Sequence, residues 1–523
     1  MTAPLSKLCS FVLIAGLSLS GLPSQAQEDA APPTMAAVEQ AWQRGDFAEA
    51  RKGLEHLANT LDTPLAQYRY GRILLEGRGG PQNVAEGVEW LEKAVAQNHP
   101  EAATLLARAL LSQPKETRDP KRAASLFLNA AARGNAEAQY YLGLLYRRGQ
   151  GVEADAVASF NWLLASSEGF NKDAQYELSR AYAQGVGTAQ NNKEALRWME
   201  EAAANGQRDA QYSLALSYEV GAGVNQSDSQ AVQWFTKAAE AGHILAQRSL
   251  GTAYLQGING KAPDAEKALR WLTAAADAGE PGAMNNLALA YFQGTVIPND
   301  DALALHYFEE ASYRRLARAT MALAGMTEAG RGTEANIKKA VELYELAATQ
   351  GDPAGLKRVS QLALAGRMDD AYAPHDLVKW IAPLLQEPDN ETAVNWMQAQ
   401  VDARVRSAQA ALGSWYLTQE GKTDDGFALI ESAAIAGHVA AQHQLGAALA
   451  TGDGIELDYV NAYAWLNVAA AGGHEESIET RDLIVDLMTP DQVSEAQKIA
   501  RAFFEEAANR APNTEQTVTG VSE

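Results

Sequence analysis

The phrase Ala-Gln-Tyr begins at Ala66, Ala138, Ala174 and Ala210, and its first two letters return at Ala246, Ala408 and Ala441. From Ala138 to Ala246 every step is 36 residues. A second series of large residues (Trp90, Leu126, Trp162, Trp198, Trp234, Trp271, Tyr307, Leu343, Trp380) advances by 36 or 37 throughout. A period held over so many units means a repeat architecture. Each unit is a supersecondary element that cannot bury its apolar face alone, so it stacks on its neighbours.

Inside one unit the pattern is helix, glycine turn, helix. In AEAQYYLGLLYRRG, Ala138, Leu142, Leu145 and Tyr146 recur at helical spacing and Gly149 stops the run. In KEALRWMEEAAANG, Ala195, Trp198, Met199, Ala202 and Ala203 do the same before Gly206. Gly143 and Gly251 lie within the first helix. Such a glycine costs about 1 kcal/mol against alanine, so its recurrence predicts a close helix crossing. The pairs Gly149/Gly151, Gly185/Gly187, Gly221/Gly223, Gly330/Gly332 and Gly452/Gly454 all fall between the two helices of a unit. A phosphate loop follows a strand, and no β-branched alternating run supplies one. These pairs are turns.

The N-terminus reads as a secretory leader, residues 1–26. Lys7 is the basic region, Phe11–Leu22 the apolar core, and Ser24-Gln25-Ala26 the cleavage motif. The only cysteine, Cys9, lies inside it, so the mature chain has no thiol and no disulfide. No later run is long enough for a transmembrane helix. The expected location is the periplasm of a bacterium, with secretion as the alternative. The formal charge of −22 becomes −23 when the leader and its Lys7 are removed, and an acidic surface repels nucleic acid.

The chain resembles the Sel-one-like repeat family, a longer cousin of the tetratricopeptide repeat. Ala210, Leu214, Tyr218, Gly221, Gly223, Val224, Ala231, Trp234, Ala238, Ala239 and Gly242 carry the family phrase. The resemblance implies an all-α, right-handed solenoid of helix-turn-helix repeats whose first helices line a concave side. Residues 27–35 are expected to be a linker, 36–62 a tetratricopeptide-like capping hairpin and 63–366 the main array. Residues 367–405 form an irregular unit, because Pro383 and Pro388 break its second helix; this segment is expected to bend the array and to divide it in two. Repeats resume over 406–473, closing helices occupy 474–510 with Thr489 as N-cap and Pro490 first in its helix, and 511–523 is a disordered tail.

Trp198, Trp234 and Trp271 are expected in the core. By analogy with the tetratricopeptide groove, the partner-binding track runs through Tyr140, Leu144, Arg147, Tyr176, Arg180, Tyr212, Glu219, Arg248, Asn285 and Phe292, with Tyr and Arg as the hot-spot types. His243, His438 and His474 each follow a glycine at the end of a second helix, which makes them a repeat position and not a metal cluster. Ser112-Gln-Pro-Lys115 matches the Ser-x-x-Lys of β-lactam enzymes by chance: Pro114 spoils the helix, and Lys422-Thr423 is followed by Asp424. No cofactor or metal is expected. The reading is a non-enzymatic scaffold binding a protein or peptide, with a polysaccharide- or peptidoglycan-binding module as the alternative and a hydrolase behind it.

Overall fold

The computed structural model describes residues 32–114, 117–258 and 261–509, with side chains through Glu506. The expected leader, all but the end of the 27–35 linker, Lys115 and the 511–523 tail lie outside the described residues. Among the described residues there are 27 α-helices and one 3-10 turn, and no strand. Two compact units meet in sequence at Ala210/Gln211.

The first unit is a stack of hairpins: Met35–Gln43 with Phe47–Thr60, Pro64–Glu76 with Val84–Ala96, Pro100–Ser112 with Pro120–Ala132, Ala136–Arg148 with Ala156–Glu168, and Lys172–Gln184 with Asn192–Ala204. The second unit continues in the same manner through Ala317–Ala329 with Ile337–Thr349, and later through Val439–Thr451 with Tyr459–Ala471.

The letters of the recurring phrase now have separate physical roles. Its alanine is fully buried at Ala66, Ala138, Ala174 and Ala246, where the two helices of a hairpin approach. Its glutamine reaches back to the end of the previous hairpin. Gln139 donates to the Ala131 carbonyl (3.1 Å), Gln247 to Ala239 (3.2 Å) and Gln442 to Ala434 (3.0 Å), adding a second bond to helix-end carbonyls that also accept the N–H of a turn glycine and so tying one hairpin to the next. The mid-helix glycines mark the crossing, as the sequence predicts. A Cβ on Gly143 would stand 2.9 Å from Leu163 Cγ, and one on Gly446 2.8 Å from Leu466 Cγ.

The two glycines of each turn do different work. The first ends the helix in the left-handed region, as at Gly185 (φ +70°). The second lets one hairpin touch the previous one: a Cβ on Gly187 (φ +73°) would be driven into the Ala156 carbonyl.

The tryptophans sit at the seam between packed helices. Trp198 is 7 % exposed and Trp271 8 %, while Trp234 is only partly buried. The outer ring faces are covered by cations: Arg197 over Trp198 (4.2 Å), Lys237 over Trp234 (3.9 Å) and Arg270 over Trp271 (4.6 Å).

The irregular segment does not divide the core. Pro374–Ile381 runs into a 3-10 turn, Ala382–Gln386, which contains Pro383, and Glu391–Asp402 follows. One cluster of buried side chains passes from Ala324 through Val359, Trp380 and Met397 to Leu412. The expected break is therefore absent: prolines end the helix, but apolar residues on both sides still meet. At the C-terminus, Thr489 and Gln492 cap each other and Pro490–Asn509 closes the stack, with Phe503 stacked on Trp465 at 4.1 Å.

Gly187→Ala and Gly206→Ala share a positive φ, but only the first meets a neighbouring backbone; Gly206 has open space. Thermal unfolding followed by circular dichroism is expected to show a loss of about 1 kcal/mol for Gly206→Ala and about 3 kcal/mol for Gly187→Ala.

Candidate partner-binding face

In the first unit, Tyr140, Leu144 and Arg147 lie on the first helix Ala136–Arg148, and Tyr176 and Arg180 on the first helix of the following repeat, Lys172–Gln184. Tyr140 is half-buried, edge-on to Tyr141 at 5.2 Å. Burial, with the Asp173 and Glu177 carboxylates adding to it, pushes its hydroxyl up to about 12, so it remains a neutral donor. Arg147 pairs with Glu177, and Arg180 approaches the same carboxylate at 3.5 Å. Leu144 and Tyr176 are half-buried, and Arg180 is exposed. Glu177, which the sequence pattern does not single out, joins Arg147 to Arg180 across the two repeats and acts on the Tyr140 hydroxyl.

Also missing from that reading is a groove of 480 Å³ lined by Tyr68, Arg72, Glu101, Leu105, Arg108 and Glu137 among others. Arg108 binds Glu137 of the next repeat at 2.8 Å, and Arg72 binds Glu76 at 2.7 Å. The repeat register could have found these side chains. Tyr68 stands where Tyr140 and Tyr176 stand, and Arg72 and Arg108 stand where Arg180 does.

In the second unit, Tyr212 is stacked on His243 (4.3 Å) and leans on Phe235 (5.7 Å). Arg248 pairs with Glu280 at 3.0 Å, and Glu219 is exposed. Two predicted residues sit differently from the rest. Asn285 is 4 % exposed, and its amide donates to Asn286 Oδ1 (3.4 Å). It shares the register of Tyr212 and Arg248 but is too short to emerge past its neighbours. Phe292 lies beneath the Arg331 guanidinium at 3.8 Å, and Asp301 holds that arginine. With Leu289, Phe308 and Met326 it lines a small apolar cavity of 330 Å³.

Of the three histidines that the sequence assigns to a repeat position, His243 and His438 act as caps there, while His474 holds the same position without a cap bond. His99, His243 and His438 each accept from the backbone N–H three residues on (Ala102, Ala246, Ala441) at 3.1–3.3 Å, so they are N-caps. Ser112 ends its helix with its hydroxyl donated to the Ala109 carbonyl (2.9 Å).

A buried polar junction that the period does not name gathers around Glu328. Glu328, 7 % exposed, receives Tyr344 (2.9 Å), Arg358 (2.7 Å) and Arg367 (3.1 Å). Burial alone would raise its carboxyl, but the bonds from Arg358 and Tyr344 prevail and hold it below the usual range. Burial and the same contact push Tyr344 up to about 12. Glu328–Arg358 is the Arg147–Glu177 contact with its charges exchanged, both 30 residues apart in sequence. Arg367 adds an anchor from the irregular segment.

The Sel1 repeat model matches residues 64–99, 100–135, 136–169, 172–207, 208–243, 244–280, 281–314, 317–352 and 439–474. The chain belongs to the Sel1 repeat family. It is similar to c5321, a protective antigen of uropathogenic Escherichia coli with an SLR fold, at 23 % identity and a TM-score of 0.54, covering 90 % of this chain and 99 % of that one. A Sel1 repeat protein from Oxalobacter formigenes is 28 % identical over 60 % of this chain and 89 % of its own, with a TM-score of 0.43. The repeat model passes over 353–438, so of the repeats expected over 406–473 it matches only the one at 439–474. The unmatched hairpin, Arg406–Tyr416 with Thr423–Ile435, has no Gly-x-Gly turn, yet it keeps the tight crossing at Gly413 and Gly426. Sel1 repeat proteins are generally protein-interaction scaffolds, and the fold is typically non-enzymatic.

Glu328→Gln is expected to destabilise the second unit by about 2 kcal/mol at neutral pH, since it leaves two arginines without their counter-charge. The folded carboxyl titrates below its ordinary value of 4.5. The wild-type advantage is therefore complete above that pH and fades as pH falls through the lowered folded value, which urea unfolding of both proteins between pH 3 and 7 would show.

Proposed function

We propose that this chain is an exported, non-enzymatic scaffold that holds a protein or peptide partner on the first-helix face of its repeats, in envelope assembly or signalling. The observation that carries the reading is the face of the first unit. Half-buried tyrosines (Tyr68, Tyr140, Tyr176) share it with Arg72, Arg108 and Arg180, beside a groove already open in the protein. Tyrosine and arginine bind strongly because they combine large contact area with directed hydrogen bonds. Pre-positioned by ring contacts and ion pairs, they lose little freedom when a partner arrives.

Export is supported by the leader-like residues 1–26. No helix among the described residues is long and apolar enough to cross a membrane. An acidic chain with paired arginines favours neither nucleic acid nor anionic glycan, so a polypeptide partner is the better fit.

The test is photocrosslinking from position 180 in cells of the source organism, with position 193 on a second helix as control. Both side chains are exposed, so neither replacement disturbs packing. One dominant protein captured from position 180 alone is the expected result. Envelope glycan captured in place of protein would overturn the protein reading in favour of the polysaccharide-binding one. In the same cells, the intact mass of the purified chain should place its N-terminus at Gln27; an uncleaved chain would overturn export by this leader.

A further inference from the structure

In two repeats an aromatic ring on the first helix stacks on the capping histidine of the next: Tyr68 on His99 (4.8 Å) and Tyr212 on His243 (4.3 Å). The repeat Val439–Ala471 keeps the stack but changes its chemistry. The tyrosine position holds His443, stacked on His474 at 4.1 Å. The residue three beyond the cap, alanine at Ala102, Ala246 and Ala441, is Ser477. His474 accordingly makes no cap bond to the backbone. Its Nδ1 lies 3.2 Å from Ser477 Oγ, and His443 Nδ1 lies 2.9 Å from the same oxygen. Ser477 is completely buried.

That hydroxyl holds the Nδ1 edge of both rings, leaving each Nε2 as the other polar atom. On that side Glu476 Oε2 comes to 3.8 Å from His443 Nε2. Ligand atoms of His443, His474 and Glu476 all fall within 4.8 Å of one another. Around a tetrahedral ion with bonds near 2.0–2.1 Å, ligand atoms stand about 3.3 Å apart, so modest ring rotation and a turn of the exposed Glu476 side chain close the set. A buried hydroxyl fixing the far nitrogen of each imidazole is the outer-shell arrangement that orients metal-binding histidines.

We propose that His443, His474 and Glu476 form a site for a borderline divalent cation of the Zn2+ type, oriented by Ser477, which staples the last matched repeat to the closing helix Glu475–Val485. Two imidazoles and one carboxylate suit such an ion and not Mg2+ or Ca2+, which take oxygen ligands. Three protein ligands leave a position for water. The positive end of the closing helix opposes a cation, which sets the affinity below that of a closed four-ligand site.

The test is calorimetric titration of tag-free full-length mature protein with Zn2+ alone, beside thermal melts with and without the ion. The wild type is expected to take up one Zn2+ per chain and to melt higher with it. His443→Tyr restores the stack found at Tyr212 and so should fold normally; it is expected to bind at least about tenfold more weakly and to lose the thermal shift. Glu476→Gln, at an exposed side chain, should weaken binding in the same direction, and Ser477→Ala about tenfold through misorientation of the rings. Failure of the wild type to bind one equivalent overturns the proposal, as does binding by His443→Tyr and Glu476→Gln with unchanged affinity.

Discussion

The two helices of a repeat cross most closely where the first carries a glycine, as at Gly71, Gly143, Gly251, Gly413 and Gly446. A Cβ on Gly71 would press on the Gly87 carbonyl at 2.9 Å, and one on Gly413 on the Gly426 carbonyl at the same distance. Around these points the alanines Ala94, Ala202, Ala238 and Ala275 have no exposed surface. With the backbones this close, a leucine or isoleucine of the second helix (Leu163, Leu272, Ile430, Leu466) lies directly over the glycine of the first, and a side chain in the glycine's place would collide with it. Buried clusters also run from one hairpin into the next, as from Leu91 through Leu106 and Phe127 to Leu142, and repeats therefore adhere to one another and not only to themselves. Stability then resides in contacts between neighbours, as expected for a stacked array.

Polar groups follow the same logic. Glutamines on first helices satisfy the helix ends of the preceding hairpin, and capping asparagines, aspartates and histidines satisfy the starts of the next helices. Ion pairs such as Arg147–Glu177 and Glu328–Arg358 bridge one repeat to the next at matching register, and swapping their sense costs nothing in geometry. The irregular 367–405 segment interrupts the period without interrupting the core, because Arg367 is tied to Glu328 and Trp380 Nε1 donates to Glu345 at 2.8 Å.

A face built from such contacts is rigid before any partner arrives. Tyr68 and Tyr140 are held by neighbouring rings, Arg108 and Arg147 by carboxylates of the next repeat, and Arg72 and Arg180 by carboxylates on their own helices. The same stacking register, with histidine at position 443, turns a packing device into a pair of facing imidazoles. Repeat architecture makes this economical, since one position can change chemistry while the backbone around it is unchanged.

Periodicity by itself determined the helices, their pairing, the turn glycines and the close crossing at Gly143 and Gly251, because each depends on residue size and spacing along one or two adjacent helices. The histidine repeat position was legible for the same reason. Tertiary structure alone decided which face residues are reachable. Asn285 is sealed in while Tyr212 is not, although both hold the same register, because exposure depends on side-chain length measured against neighbours that the period does not name. It also decided where charges pair: Glu328 gathers Tyr344, Arg358 and Arg367, and His443 meets His474, across separations of 16 to 39 residues. Contacts of that kind are set by how one hairpin lies on the next. A helical pattern fixes which side of a helix turns inward, but not which atoms of the next repeat it will meet.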